Sequence, residues 1–172
     1  MLKTAGIFLI LAAGTGLGYT KSKELTERER NLRAFMQIAA YLQGAVRCGN
    51  AGLSEAFRET GKRMEGVYQE FLFEAADRME ETRGLTFEEI YRETADRCFP
   101  SQAFSIRERA IIYGIGEKLG CFDREMQLRQ LEGVEKEVSQ ALMELRKELP
   151  QRKKLCQSLG ILGGILLGVL LW

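Results

Sequence analysis

Histidine is absent from this chain, proline occurs only at positions 100 and 150, and no cysteine pair has C-x-x-C spacing. Each absence removes a class of chemistry. Without histidine there is no Ser-His-Asp or Cys-His relay and no histidine-ligated metal centre. No G-x-x-x-x-G-K-S/T loop occurs, so the chain is not itself a P-loop ATPase. Gly114 and Gly116 form a lone glycine pair inside a helical pattern, without the preceding strand that a dinucleotide fingerprint needs. Carboxylates are plentiful, as in Glu80-Glu81 and Glu88-Glu89, but they are interleaved with arginines and read as solvated helix faces. The expectation is a protein without catalytic, cofactor-binding or metal-binding residues.

An excess of one charge is also missing. Lys and Arg number 25 against 24 Asp and Glu. Nucleic-acid binding wants a basic stripe, so nucleic acid is not an expected partner. Cys48, Cys98, Cys121 and Cys156 read as reduced thiols that pack as small hydrophobes in a cytosolic domain. An enzyme built on Cys121 or Cys48 would need an electropositive, partly exposed setting and a base.

What the chain does have is an apolar segment at each end. Residues 1–20 carry one charge, Lys3, and residues 158–172 carry none. A spanning helix needs about 20 mostly apolar residues at about 1.5 Å each. Leu155–Trp172 supplies roughly 27 Å, which local bilayer thinning accommodates. Lys21, Lys23, Arg28, Arg30 and Arg33 follow the first segment, and Arg146, Lys147, Arg152, Lys153 and Lys154 precede the second. By the positive-inside rule both flanks place the intervening domain in the cytosol. The rival reading of the first segment is a cleaved signal peptide, with Lys3, a short apolar run and Ala12, Ala13 and Gly14. It lacks a clean Ala-x-Ala site ahead of a polar start.

The pattern predicts an all-α protein: a bundle of about six helices over 21–157, flanked by an N-terminal transmembrane helix at 1–20 and a C-terminal one at 158–172. Leu25, Leu32, Phe35, Ala39, Leu42 and Val46 recur at helical spacing up to a turn at Cys48-Gly49-Asn50. Leu53, Ala56, Phe57, Thr60 and Met64 predict a second helix. Val67, Phe71, Leu72, Ala75 and Met79 predict a third, ending near Arg83-Gly84. Thr86…Glu89 and Ser105…Glu108 are capping boxes that open two more. The first of these ends before Phe99-Pro100; the second ends at Leu119-Gly120, where glycine suits a left-handed cap. Asp123 caps a long last helix whose stripe runs Leu131, Val134, Val138, Leu142, Leu145, Leu149, about three heptads. Packing within the bundle is the plain reading of that stripe. Pro150 is expected to kink or interrupt the join to the last segment.

Small residues mark both end segments. Gly160, Gly164 and Gly168 fall on one face of the last, and Gly14 and Gly18 on one face of the first. Small-x-x-x-small faces let transmembrane backbones approach closely, either one span on the other or on another subunit.

In order and spacing the chain resembles the stage III sporulation protein AB family of endospore-forming bacteria. The resemblance rests on the short first segment ending Gly18-Tyr19, the basic approach to Arg30 and Leu32, and Leu53-Ser54-Glu55-Ala56 opening a helix. It continues through Leu119-Gly120 with Asp123 and Gln127, to the basic approach to Leu159-Gly160 and a glycine-rich apolar end. Pro150, Cys121 and Phe122 depart from the pattern. The resemblance implies a subunit of the channel-like complex linking mother cell and forespore. Its domain would be similar to the cytoplasmic domains of the type II secretion platform protein, and would dock a cytosolic secretion-type ATPase beside other membrane subunits. It also points to Leu119, Gly120, Asp123 and Gln127 as partner-contacting residues, although a C-cap, an N-cap and a core leucine account for three of them equally well.

The leading expectation is therefore a non-enzymatic membrane platform with its domain in the mother-cell cytosol, with room for homo-oligomerisation. The alternative is a membrane-tethered helical adaptor that binds a cytosolic partner helix through the Leu131–Leu149 stripe. Burial of that stripe would count against it.

Overall fold

Helix starts follow directly from side-chain chemistry. A helix leaves its first amide N–H groups without intrahelical acceptors, and a hydroxyl followed by glutamate at the third position satisfies two of them. The Glu89 N–H donates to Thr86 Oγ1 at 3.3 Å and the Thr86 N–H donates to Glu89 Oε2 at 2.7 Å. Ser105 and Glu108 repeat the arrangement at 3.3 and 2.7 Å. Both boxes sit where the sequence places them.

The computed structural model describes the backbone of residues 2–48, 52–81, 84–120 and 123–170, and side chains within 23–48, 52–81, 84–120 and 123–147. Among the described residues all regular secondary structure is helical: α1 Leu2–Cys48, α2 Leu53–Gly61, α3 Val67–Glu81, α4 Phe87–Cys98, a 3-10 turn Ser101–Ala103, α5 Ile106–Leu119 and α6 Arg124–Leu170. Three local expectations need correction. The helix α2 stops at Gly61 and leaves Met64 in the following turn, still buried, because the Arg63 and Met64 amides close back on Thr60 and Gly61. Gly66 then takes φ +60°, a left-handed conformation that suits glycine. Gly120 does not take a left-handed conformation: its φ of −65° and ψ of −2° are right-handed. Nor does Pro150 interrupt α6, whose helical backbone runs through it to Leu170. A proline removes one N–H from the ladder, and in so long a helix the remaining bonds carry the backbone past it.

The chain divides into two compact units, Met1–Glu29 with Met143–Trp172, and Arg30–Leu142. In the first, Leu25 and Leu145 are buried and Arg146 Nε donates to Glu29 Oε1 at 2.8 Å. Among the described residues no helix is long and apolar enough to cross a membrane. The segments expected to do so, 1–20 and 158–172, lie outside the residues whose side chains are described.

In the second unit the later part of α1 and the first part of α6 run antiparallel. Gln43 Nε2 donates to Glu135 at 3.1 Å, and Arg47 lies 3.9 Å from Glu132. The helices α2 to α5 pack each on the next. Tight approach is possible where a side chain is missing: a Cβ at Gly116 of α5 would stand 3.1 Å from the Cβ of Tyr91 on α4.

Aromatic rings fill the centre. Phe35 on α1 lies 5.4 Å from Phe99, 5.6 Å from Phe104 and 6.1 Å from Phe71, centroid to centroid. Tyr91 continues the cluster at 5.2 Å from Phe71, edge to face. Burying each such ring stabilises by about 1.5–3 kcal/mol, with about 0.5–1.5 kcal/mol more from a favourable ring pair. The one amide inside this core is matched: Asn31 donates to the Ala103 carbonyl at 2.9 Å and accepts from the Tyr68 hydroxyl at 2.6 Å. Among the described residues no buried side-chain polar atom lacks a partner.

The mixed charge of the sequence becomes a set of interhelical stitches. Arg58 of α2 reaches Asp77 and Glu80 of α3 at 2.9 and 3.0 Å. Arg97 of α4 reaches Glu74 at 2.6 Å, and Arg78 pairs with Glu93. Half-exposed pairs of this kind contribute at most about 1 kcal/mol each.

Candidate functional site

The α5–α6 connection gathers the four residues expected to contact a partner. Leu119 ends α5 and is fully buried, so its side chain belongs to the core. Gly120 and Asp123 are exposed. Asp123 caps α6, accepting from the Met126 N–H at 3.0 Å. Gln127, one turn on and half-buried, reaches back so that its Nε2 donates to the Leu119 carbonyl at 3.3 Å. That carbonyl is among those left without an intrahelical donor at a helix end. The structure thus gives three of the four residues a local task in joining two helices.

The same junction is tied to α1. Arg124, first residue of α6, donates from Nε to the Val46 carbonyl at 2.7 Å and from Nη2 to the Arg47 carbonyl. A cation here meets the negative end of α1 and satisfies its orphan carbonyls. Lys118 of α5 bonds both carboxylate oxygens of Glu137 at 2.8 Å. Around this framework Met126 is 41% exposed. Among the described residues the result is a helical corner braced by side-chain-to-backbone bonds, with an accessible thioether at Met126.

Chemistry elsewhere is sparse. Among the described residues no group of His, Cys, Asp or Glu is arranged to hold a metal ion. Cys48 is exposed and Cys98 half-buried, both free thiols. Burial, and after it the neighbouring Glu74 carboxylate, whose Oε2 is 3.8 Å away, push the Cys98 thiol above its ordinary value and favour the protonated form. Cys121 and Cys156 lie outside the described side chains. Glu89 is held below the usual carboxylate range by the Thr86 N–H and then by the Thr86 hydroxyl, which is the chemistry of a helix cap. Gly14, Gly18, Gly160, Gly164 and Gly168 also lie outside the described side chains. Their backbone is helical, as part of α1 and α6.

The stripe on α6 is settled. Leu131, Val134, Val138, Leu142 and Leu145 are all buried, while Leu149 lies outside the described side chains. A cytosolic partner helix has no access to the buried part. Sequence reasoning passed over Ile106, the first residue of α5, which is 93% exposed. Its only signal was an isoleucine directly behind a capping serine.

The family model for stage III sporulation protein AB matches residues 3–172. Among curated proteins, the chain is 22% identical over 171 residues to the stage III sporulation protein AB of Bacillus subtilis (strain 168), covering 99% of each chain. No solved structure matches.

Proposed function

We propose, starting from the fact that this chain belongs to the stage III sporulation protein AB family, that it is a non-enzymatic platform anchored in the cell membrane at both ends. Its helical domain would face the mother-cell cytosol and dock a secretion-type ATPase, beside the other membrane subunits of a channel-like sporulation complex. The family description names sporulation and no reaction.

The observation that carries this reading is the layout of the two longest helices. Each of α1 and α6 has a near-uncharged apolar segment at the chain end, and each continues as helix into the charged region beyond. Basic residues flank both segments on the domain side, the side that positive-inside bias keeps in the cytosol. A domain held at both ends has restricted tilt and can pass force between a cytosolic motor and membrane partners. A further support is negative for the rival: the stripe an adaptor would use is buried from Leu131 to Leu145.

The test is topology followed by docking. Single cysteines replace Gly44 in the domain and Trp172 at the end, in a chain whose four native cysteines are replaced. Intact sporulating cells are treated with a membrane-impermeant thiol reagent. Labelling at position 172 with protection at position 44 is the expected result. The purified full chain should then retain the ATPase subunit of the same complex. Labelling at position 44 in intact cells removes the docking proposal along with the cytosolic placement.

A further inference from the structure

Three helix-interior glycines, Gly44, Gly114 and Gly133, have nothing within 4 Å of where a Cβ would stand. A glycine inside a helix costs about 1 kcal/mol relative to alanine, so such a position needs a reason. Gly116 has one inside the fold, the close approach of Tyr91. Gly114, two residues earlier, has none there. Its surroundings on α5 supply one.

Ile106, Ala110 and Gly114 are spaced by four residues and fall on one face of α5. Ile106 is 93% exposed, Ala110 is exposed and Gly114 half-exposed. The face thus presents a large apolar knob at one end and an empty notch at the other, about 12 Å apart at 1.5 Å per residue. Ala110 lies midway. Arg107 sits at the knob end and Glu117 at the notch end, both exposed.

We propose that this face pairs with the same face of a second copy of the chain, antiparallel about a two-fold axis at Ala110. Each Ile106 seats over Gly114 of the second copy, and each Arg107 is brought toward Glu117 of the second copy. A two-fold contact must be self-complementary, with residue i on j and j on i. A face with its knob and notch equidistant from a small central residue meets that condition, and its oppositely charged ends align only when the helices run antiparallel. Opposite charges at the ends fix register and orientation more than affinity. The contact is two helical turns long, far below the roughly 1,200 Å² of a stable interface, so it is a weak pair that proximity in a larger assembly would populate. This inference uses only α5 and stands whether or not the platform reading holds.

The experiment is cross-linking of the purified full chain in detergent micelles, with native cysteines replaced and Ala110→Cys introduced. A short bis-maleimide should join two copies through position 110, while Gly44→Cys on α1 should give little product. Ile106→Asp and Gly114→Leu should each lower the yield roughly tenfold, one step in the affinity scale. Neither should harm the fold: aspartate suits the first turn of a helix, and the space over Gly114 is open. A thermal melt no lower than that of the parent verifies this for each variant. Arg107→Glu alone should weaken the pair, and Arg107→Glu with Glu117→Arg should restore it. Equal yields at positions 110 and 44, no product at 110, or full yield in Ile106→Asp would overturn the proposal.

Discussion

At the scale of single residues, two glycines only two residues apart in sequence behave oppositely. Gly116→Ala drives a methyl against the Cβ of Tyr91, which is fully buried. Overpacking of this kind costs about 1–3 kcal/mol, of which the better helix propensity of alanine returns about 1. Gly114→Ala meets open space and should stabilise by about 1 kcal/mol. Urea midpoints of the two variants, moving in opposite directions, check both. Tyr113 offers a second test. Burial, and then the bond its hydroxyl donates to Asp96 at 2.6 Å, push the phenol up to about 12. A raised phenol value stabilises the fold below the ordinary value of 10.0, and that contribution is lost as pH rises through about 12. Tyr113→Phe should therefore lose less stability than the parent between pH 10 and 12, and its ultraviolet titration should lack the phenolate that forms near 12. Gly116 and Tyr113 were visible in the sequence; their neighbours were not, because Tyr91 and Asp96 belong to another helix.

At the scale of elements, the caps are where sequence and structure coincide. Ser105→Ala removes the acceptor for the Glu108 N–H and should cost about 1 kcal/mol, read as a shift in denaturant midpoint. Glu89 gives the pH dependence of the other box. Its carboxylate is held below the ordinary value of 4.5, so the stability it adds is present above that value and is lost as pH falls through the lowered one. The stability difference between the parent and Glu89→Gln should shrink below pH 4.5. These boxes were legible because a cap is written within four consecutive residues. Helix ends were less so. The stop of α2 at Gly61 and the right-handed Gly120 depend on where the chain must go next, and Gln127, not glycine geometry, supplies a donor for the Leu119 carbonyl.

At the scale of the whole molecule, the aromatic cluster decides whether the domain holds together. Phe35 is packed within 6.3 Å, centroid to centroid, of Phe99, Phe104, Phe71 and Tyr68. Phe35→Ala should destabilise by about 3–5 kcal/mol, and calorimetry should show the loss in the main domain transition. The candidate contact residues were only partly legible. The family resemblance singled out Leu119, Gly120, Asp123 and Gln127, and a core leucine at 119 was the plain reading that burial bears out; that Gln127 is half-buried on a helix end was not legible. Ile106 carried no periodic signal, since a residue at the start of a helix belongs to neither neighbouring pattern.

What the sequence alone determined is whatever depends on short-range spacing: helical class, the two capping boxes, the apolar stripe of α6 and the uncharged ends with their basic flanks. These follow from periodicity, caps and composition, each readable within a few turns of chain. The tertiary structure decided which faces were already used. It buried the stripe from Leu131 to Leu145, seated Phe35 among rings drawn from distant segments, matched Asn31 to a carbonyl far along the chain and left Ile106 bare. Burial is a property of what packs against a residue, and those partners come from elsewhere in the sequence.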